Sequence, residues 1–313
     1  MTPGKAFLTS DEIRSLSARS DLWGAWLVVH CWGLILGSVA LFALWPNPLT
    51  FLLAVVVIGS RQLGLAILMH EAAHNALFKT RWMNEFAGDW LCGRPILADL
   101  PEYRRYHLTH HRYTQSDRDP DLRLSKPFPT TRASLRRKLI RDITGQTGIK
   151  QRAQQIAFAF RMAGEVEGQP SAQDLAQAFS GPVLGKAIVA NAVILALFWA
   201  IGAWWFWLAF WVLPLLTWFQ LVLRVRNIAE HGAVAFSDDP FRNTRTTLAS
   251  PLERLLLAPY WVNYHLEHHL VMHIPAHNLP RLHAMLKAKG LGDRMTVAPG
   301  YLDVLRQAST RPA

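Results

Sequence analysis

Residues 183–223 read VLGKAIVANAVILALFWAIGAWWFWLAFWVLPLLTWFQLVL, 41 positions that carry one charge, Lys186. A single helix of that length would be roughly 60 Å long, about twice the hydrocarbon thickness of a bilayer. The run therefore divides into two spans, with Gly202 as the fold point and Trp204 and Trp205 beside it at the membrane interface. Towards the N-terminus, Trp23–Trp45 and Leu49–Met69 are each long enough to cross, since about 20 apolar residues suffice. Pro46-Asn47-Pro48 breaks the helix between them, so they too form a hairpin, with Trp45 at its interface. The expected fold is all-α integral membrane: one domain over residues 1–313, with four transmembrane helices in two hairpins at 23–45, 49–69, 183–201 and 204–223.

Composition points the same way. Of 313 residues, 51% are hydrophobic and only 18% charged, below the roughly 25% of soluble domains. The net charge of +11 does not indicate nucleic acid, because the basic residues flank apolar runs instead of covering a soluble scaffold. Their placement sets the orientation. Segments 1–22, 70–182 and 224–313 hold 31 of the 33 Lys and Arg and all 22 acidic residues, and the two hairpin turns hold none. By the positive-inside rule both termini and the central segment face the cytoplasm, where they form a helical cap. The first apolar run lacks the basic start and small-residue cleavage site of a secretory signal and is expected to be retained. The two remaining cations lie inside spans. Lys186 can snorkel, whereas Arg61 must reach the interface or a polar cavity and, nine positions before His70, points away from it.

Two cysteines, Cys31 and Cys92, exclude a disulfide framework, a four-cysteine zinc site and an internal iron–sulfur cluster. Any metal must be held by His, Asp or Glu. Nine of the 13 histidines fall in four clusters: His70-Glu71-Ala-Ala-His74, His107-Leu-Thr-His110-His111, Asn227-Ile-Ala-Glu230-His231 and His265-Leu-Glu267-His268-His269. On a helix, positions i, i+3 and i+4 share a face, so each cluster gathers its imidazoles, and Asn227, at one spot. His70 and His74 end the second span and Asn227 and His231 follow the fourth, which puts both at the cytoplasmic surface with the other two clusters free to fold beneath. Nine protonated imidazoles would repel one another there, whereas neutral ones are good ligands. They exceed the capacity of one ion, so two metals are implied, and imidazole alone does not choose among Zn, Cu, Fe and Ni.

In this order and on this hydropathy profile, the clusters resemble the histidine boxes of the integral-membrane fatty acid desaturase family, in its acyl-lipid desaturase-like branch. The similarity extends to Asp117-Arg-Asp119-Pro-Asp121 after the second box, and to Asn263-Tyr before the third with Pro275, Leu279-Pro280 and His283 beyond it. It covers roughly residues 50–285. The resemblance implies a di-iron centre held by His70, His74, His107, His110, His111, His231, His265, His268 and His269, with Asn227 holding a metal-bound water. The Glu230-His231 pair is similar to the acyl-lipid branch and the Asn227 spacing to the acyl-CoA enzymes. Also implied are two Fe ions (Fe2+/Fe3+), O2 as co-substrate and desaturation of a lipid or acyl chain drawn from the membrane, by two successive hydrogen abstractions. No side chain is then needed as nucleophile.

Around the boxes, Glu71, Glu230, Glu267, Asp117 and Asp119 are candidates to accept the second imidazole N–H and offset metal charge. Leu63, Ala66 and Ile67 stack above His70 and His74, as a lipid-facing wall or as ordinary packing. His30, His273, His277 and His283 lack convergent spacing and read as structural. With no glycine-rich dinucleotide fingerprint, fused heme motif or cysteine set, electrons are expected from a separate donor, ferredoxin or cytochrome b5-like with its reductase. The stretch Arg132–Ile143 sets Arg132, Arg136, Arg137, Lys138 and Arg141 against Leu135, Leu139 and Ile143, suiting an anionic lipid surface or an acidic donor. Residues 144–180, rich in Gly, Gln and Ala, read as a mobile insert.

Three other readings compete. A lipid hydroxylase or ketolase would use the same site. His70-Glu71-x-x-His74 is also the zinc-protease signature, with Glu71 as general base, but that chemistry needs only three protein ligands and leaves the HxxHH runs unexplained. A bis-histidine heme would not use such tight triplets.

Overall fold

A computed structural model describes residues 3–161, 184–237 and 239–311. It is almost entirely helical. The first apolar run forms α1 (Asp21–Leu44) and the second α2 (Pro48–Ala73). Pro48 takes the first helical position of α2, and the Asn47 side-chain oxygen accepts the N–H groups of Leu49 and Thr50 at 3.0 and 3.1 Å. A proline without an N–H and an asparagine cap are what a helix start favours, so the Pro-Asn-Pro turn both ends α1 and begins α2.

Further along come α3 (Leu100–Tyr113), α4 (Arg132–Ile143), α5 (Gln146–Arg161), α6 (Leu184–Ala200) and α7, a helical stretch from Trp205 to His231 that is interrupted at Thr217 (φ −116°, ψ −88°). Helices α1, α2 and α7 are long and apolar enough to cross a membrane; α6 is apolar but has 17 residues. Between α6 and α7, Gly202 adopts φ +72°, and the N–H groups of Gly202 and Ala203 close back on Trp199 and Phe198. Only glycine takes that left-handed conformation freely, so the expected fold point lies where the sequence placed it. Leu22, Trp26, Val29 and Leu36 on α1 and Ile188, Val193, Leu197 and Trp199 on α6 stand exposed, an apolar surface of the kind that lipid covers.

Two spans run further than their apolar runs. Helix α2 carries on through His70 and Glu71, and α7 continues eight residues past Leu223 through Asn227 and Glu230 to His231. Each end is capped by an arginine from the polar part of the chain. The Arg104 guanidinium donates to the carbonyls of Ala72 and Ala73 (both 3.0 Å), and Arg245 donates to those of Ala229 and Gly232 (3.2 and 2.9 Å). Cations satisfying the last carbonyls of a helix are favourable for both hydrogen bonding and the helix dipole. Within α7, Pro214 follows a π-helical turn at Leu208–Val212, the local adjustment expected where a proline cannot donate to the turn before it.

Arg61 is buried in α2 and donates to the carbonyl of Leu255 while its guanidinium lies 5.7 Å from the Tyr260 ring centroid. It ties the span to the short helix Pro251–Leu256 before the third box. The amphipathic stretch at Arg132–Ile143 forms the whole of α4, pinned through buried Asp142 to Arg224 of α7. Of the expected insert, residues 144–161 include α5, and residues 162–180, like Val183 at the start of the third predicted span, lie outside the described residues. The third box forms α8 (His265–Leu270). A two-residue parallel pair, β1 (Thr246–Thr247) with β2 (Val297–Ala298), and a bridge from Thr246 to Tyr264 hold it in place.

Candidate metal centre

All nine box histidines converge, and they do so as two groups. His70, His74, His107, His111 and His268 form one; His110, His231, His265 and His269 form the other. In each, one ring nitrogen per residue lies within 4.8 Å of the rest. The boxes do not map one to one onto the groups. In the second box His107 and His111 join the five-histidine group while His110 joins the four; in the third, His265 and His269 join the four and His268 the five. Helix geometry explains the split. Residues i and i+4 are about 40° apart around the axis and adjacent residues about 100°, so an HxxHH run sends its i, i+4 pair one way and its i+3 member another. His70 and His74, again i and i+4, stay together.

The nitrogens are close: His107 to His111 2.9 Å, His268 to His111 3.0 Å, His110 to His231 3.1 Å and His265 to His231 2.8 Å, Nε2 to Nε2. Ligand nitrogens about 2.1 Å from one ion sit roughly 3.0–3.4 Å apart in octahedral or tetrahedral geometry, so these spacings suit ligands that share a cation. Nε2 of His70, His74 and His269 is buried without a hydrogen-bond partner, and an orphaned buried donor or acceptor implies a missing partner. Burial, followed by neighbouring imidazoles, holds His107, His111, His265, His268 and His269 well below the usual histidine range. These rings are therefore neutral with lone pairs available. Burial also pushes His110 down, but Asp121 and Asp119 outweigh it and hold that ring above its ordinary value. The donor set fits two metal ions.

The predicted carboxylates divide. Asp119 is buried and lies 2.8 Å from His110 Nδ1, the contact a ligating histidine needs on its far nitrogen. Glu71 lies 3.4 Å from His70 Nδ1 and accepts the Ala276 N–H at 2.7 Å; Glu230 lies 3.5 Å from His265 Nδ1 and is paired with Arg226. Glu267 turns to the Thr246 hydroxyl and to His283 Nδ1 (2.6 Å) instead of to a box imidazole, and Asp117 is exposed. Asn227 stands one turn before His231 on the wall of a cavity of about 230 Å³. That cavity also meets His107, His110, His231 and His265, with Ala66, Ile96, Phe219 and Leu223 as apolar wall. Leu63 and Ile67 are buried in the core, so of the three wall candidates only Ala66 reaches the cavity.

Sequence reasoning passed over four residues here. Tyr103 stacks on His107 (centroids 5.2 Å, planes 8° apart), Tyr106 donates to Asp121, Asp121 lies 3.7 Å from His110 Nδ1, and Arg226 pairs with Glu230. The spacing could have found three: Tyr103 is four residues before His107, Tyr106 four before His110 and Arg226 four before Glu230.

Residues 43–298 match the family described as fatty acid desaturase. Similar proteins include dihydrorhizobitoxine desaturase of Bradyrhizobium elkanii (28% identical over 74% of this chain), of which the chain spans only 65% of the length. A beta-carotene ketolase of Paracoccus sp. (strain PC1) is 25% identical over 90% of this chain and 97% of its own. The sn-1 oleoyl-lipid 12-desaturase of Picosynechococcus sp. (strain ATCC 27264 / PCC 7002 / PR-6) is 24% identical over 81% of this chain and 73% of its own. A family match that covers most of the chain and takes in every one of the nine histidines shows that the protein belongs to the fatty acid desaturase family, a family of oxidoreductases.

Proposed function

We propose that the chain is an O2-dependent di-iron membrane desaturase that introduces a double bond into a fatty acyl or related lipid chain. The observation that carries this reading is the division of nine imidazoles into two adjoining groups beside an apolar-walled cavity. His70, His74, His107, His111 and His268 would hold one iron, and His110, His231, His265 and His269 the other. Asn227 joins the four-histidine group through a water. Bound iron, with O2 and electrons, supplies the redox chemistry that an inert C–H bond demands and no side chain offers.

The protein's own residues do the rest. Burial keeps most of the rings neutral, and Asp119 holds the His110 ring so that Nδ1 carries the proton and Nε2 faces the group. Ala66, Ile96, Phe219 and Leu223 receive the apolar substrate and exclude water from it. In this reading the chain is a single domain in which α6 is the fourth span, both termini and the site face the cytoplasm, and a separate ferredoxin or cytochrome b5-like donor brings electrons. Glu71, the base of the protease alternative, is tied to the Ala276 N–H, and no observation favours proteolysis.

A second reading has one observation behind it: the similarity to a ketolase runs along nearly the whole length of both chains. There the same histidines would hold iron whose chemistry adds oxygen to the chain: one round, with O2 and two electrons, gives an alcohol, and a second round with loss of water gives a ketone. Mass spectrometry of lipids from cells expressing the protein or its His110→Ala variant decides. A product two hydrogens lighter, absent with the variant, supports desaturation; one with added oxygen supports the second reading; no product in any lipid class overturns both.

A further inference from the structure

The cavity that meets four of the box histidines is chemically uneven. One wall is supplied by α5, through Gln151, Arg152, Gln154 and Gln155. Helix α5 packs closely on α7: a Cβ at Gly148 would stand 2.4 Å from the Leu216 carbonyl oxygen, so this crossing requires glycine. Arg152 lies one turn beyond Gly148 and lines the cavity. Gln155, bonded to the Leu97 carbonyl at 3.3 Å, holds the end of Arg152 from one side.

The charges on the cavity wall are otherwise accounted for. Glu230 is paired with Arg226, and Asp121 takes the Tyr106 hydroxyl and faces His110. Among the described residues no carboxylate pairs with Arg152, and its Nε is shut off from solvent without a hydrogen-bond partner. Burial lowers the guanidinium's pKa to about 10. A cation in a partly enclosed cavity with an unused N–H calls for an anion, and arginine's planar fork suits carboxylate and phosphate.

We infer that Arg152 binds an anionic group of the substrate, a carboxylate or a phosphate. The substrate class is thereby an anionic amphiphile and not a neutral hydrocarbon. The inference rests on the proposed function for the identity of the reacting end, and on the cavity alone for the charged end. Arg152 is a specificity residue that touches the substrate at its charged end.

The test is equilibrium dialysis of the full-length protein in neutral detergent against octanoate, octyl phosphate and octanol, for wild type, Arg152→Gln and Arg152→Lys, with iron measured in each sample. The expected result is at least a tenfold preference of wild type for one or both anions over octanol. That preference is erased in Arg152→Gln and largely kept in Arg152→Lys, at unchanged iron content. The anion bound more tightly distinguishes a carboxylate from a phosphate head. Equal binding of octanol by wild type overturns the inference whether or not the variants fold. An anion preference undiminished in Arg152→Gln overturns it too, since the anion is then held elsewhere, the metal ions included. Iron-free protein that still shows the Arg152-dependent preference would defeat the proposed function and leave this inference standing.

Discussion

The two histidine groups are built from the same parts yet sit in different surroundings. Of the five-histidine group only His107 reaches the cavity, whereas His110, His231 and His265 of the four-histidine group all line it, next to Asn227. The five-histidine group lies between α2, α3 and α8 with His111 partly exposed; the other has fewer imidazoles, all buried, three of which line the cavity. Under the proposed function the difference would assign roles: five imidazoles would hold an ion in place, and four would leave room for water or O2 beside the substrate. The i+3 histidine of each HxxHH run couples the two groups, since His110 and His268 each cross to the group that the rest of its box does not serve.

Removing one of these crossing residues has the largest effect. His268→Ala and His110→Ala are each expected to lose at least one ion per chain and all measurable turnover, checked by metal analysis and product assay. Equal metal content with partial activity would break the two-group picture. Asp119→Asn, which withdraws the carboxylate behind His110, is expected to cost about 10–100-fold in metal affinity or activity, whereas Asp117→Asn at the exposed position leaves both unchanged. Asn227→Ala sharpens the comparison further. If Asn227 serves only the four-histidine group, turnover falls about tenfold, the lower end of outer-ligand effects, with the iron content intact.

The smallest effect is on the acid side. The five imidazoles held below their ordinary range by burial are neutral in the folded protein and titrate normally, near 6.5, once unfolded. Below that pH the unfolded chain binds more protons, so stability of the metal-free protein is expected to fall as pH drops through about 6.5. His110, shifted the other way, opposes the trend with one ring against five. Thermal unfolding after chelation, followed between neutral and mildly acid pH, checks the sign.

Much of this was legible in the sequence, for identifiable reasons. Long apolar runs, the Pro-Asn-Pro break and Gly202 mark helix ends by constraints that hold whatever the rest of the chain does. The histidine spacing likewise gave the nine convergent rings. The interleaving of the boxes was implicit in the same 100° arithmetic, although each box by itself read as one spot. What was not legible depends on contacts distant in sequence. Arg104 and Arg245 lengthen α2 and α7 by capping carbonyls more than a dozen residues away. Glu267, placed within a box, turns out to His283 because Thr246 draws it there. Arg152 sat in a glutamine-rich stretch without any motif, and only the packing of Gly148 against Leu216 brings it to the cavity.

The central claim is that nine imidazoles make two metal sites, and metal analysis of the purified full-length protein tests it most directly. Two irons per chain, falling in both His110→Ala and His268→Ala, is the predicted result. A single ion per chain, zinc in place of iron, or a metal content indifferent to those substitutions would contradict it.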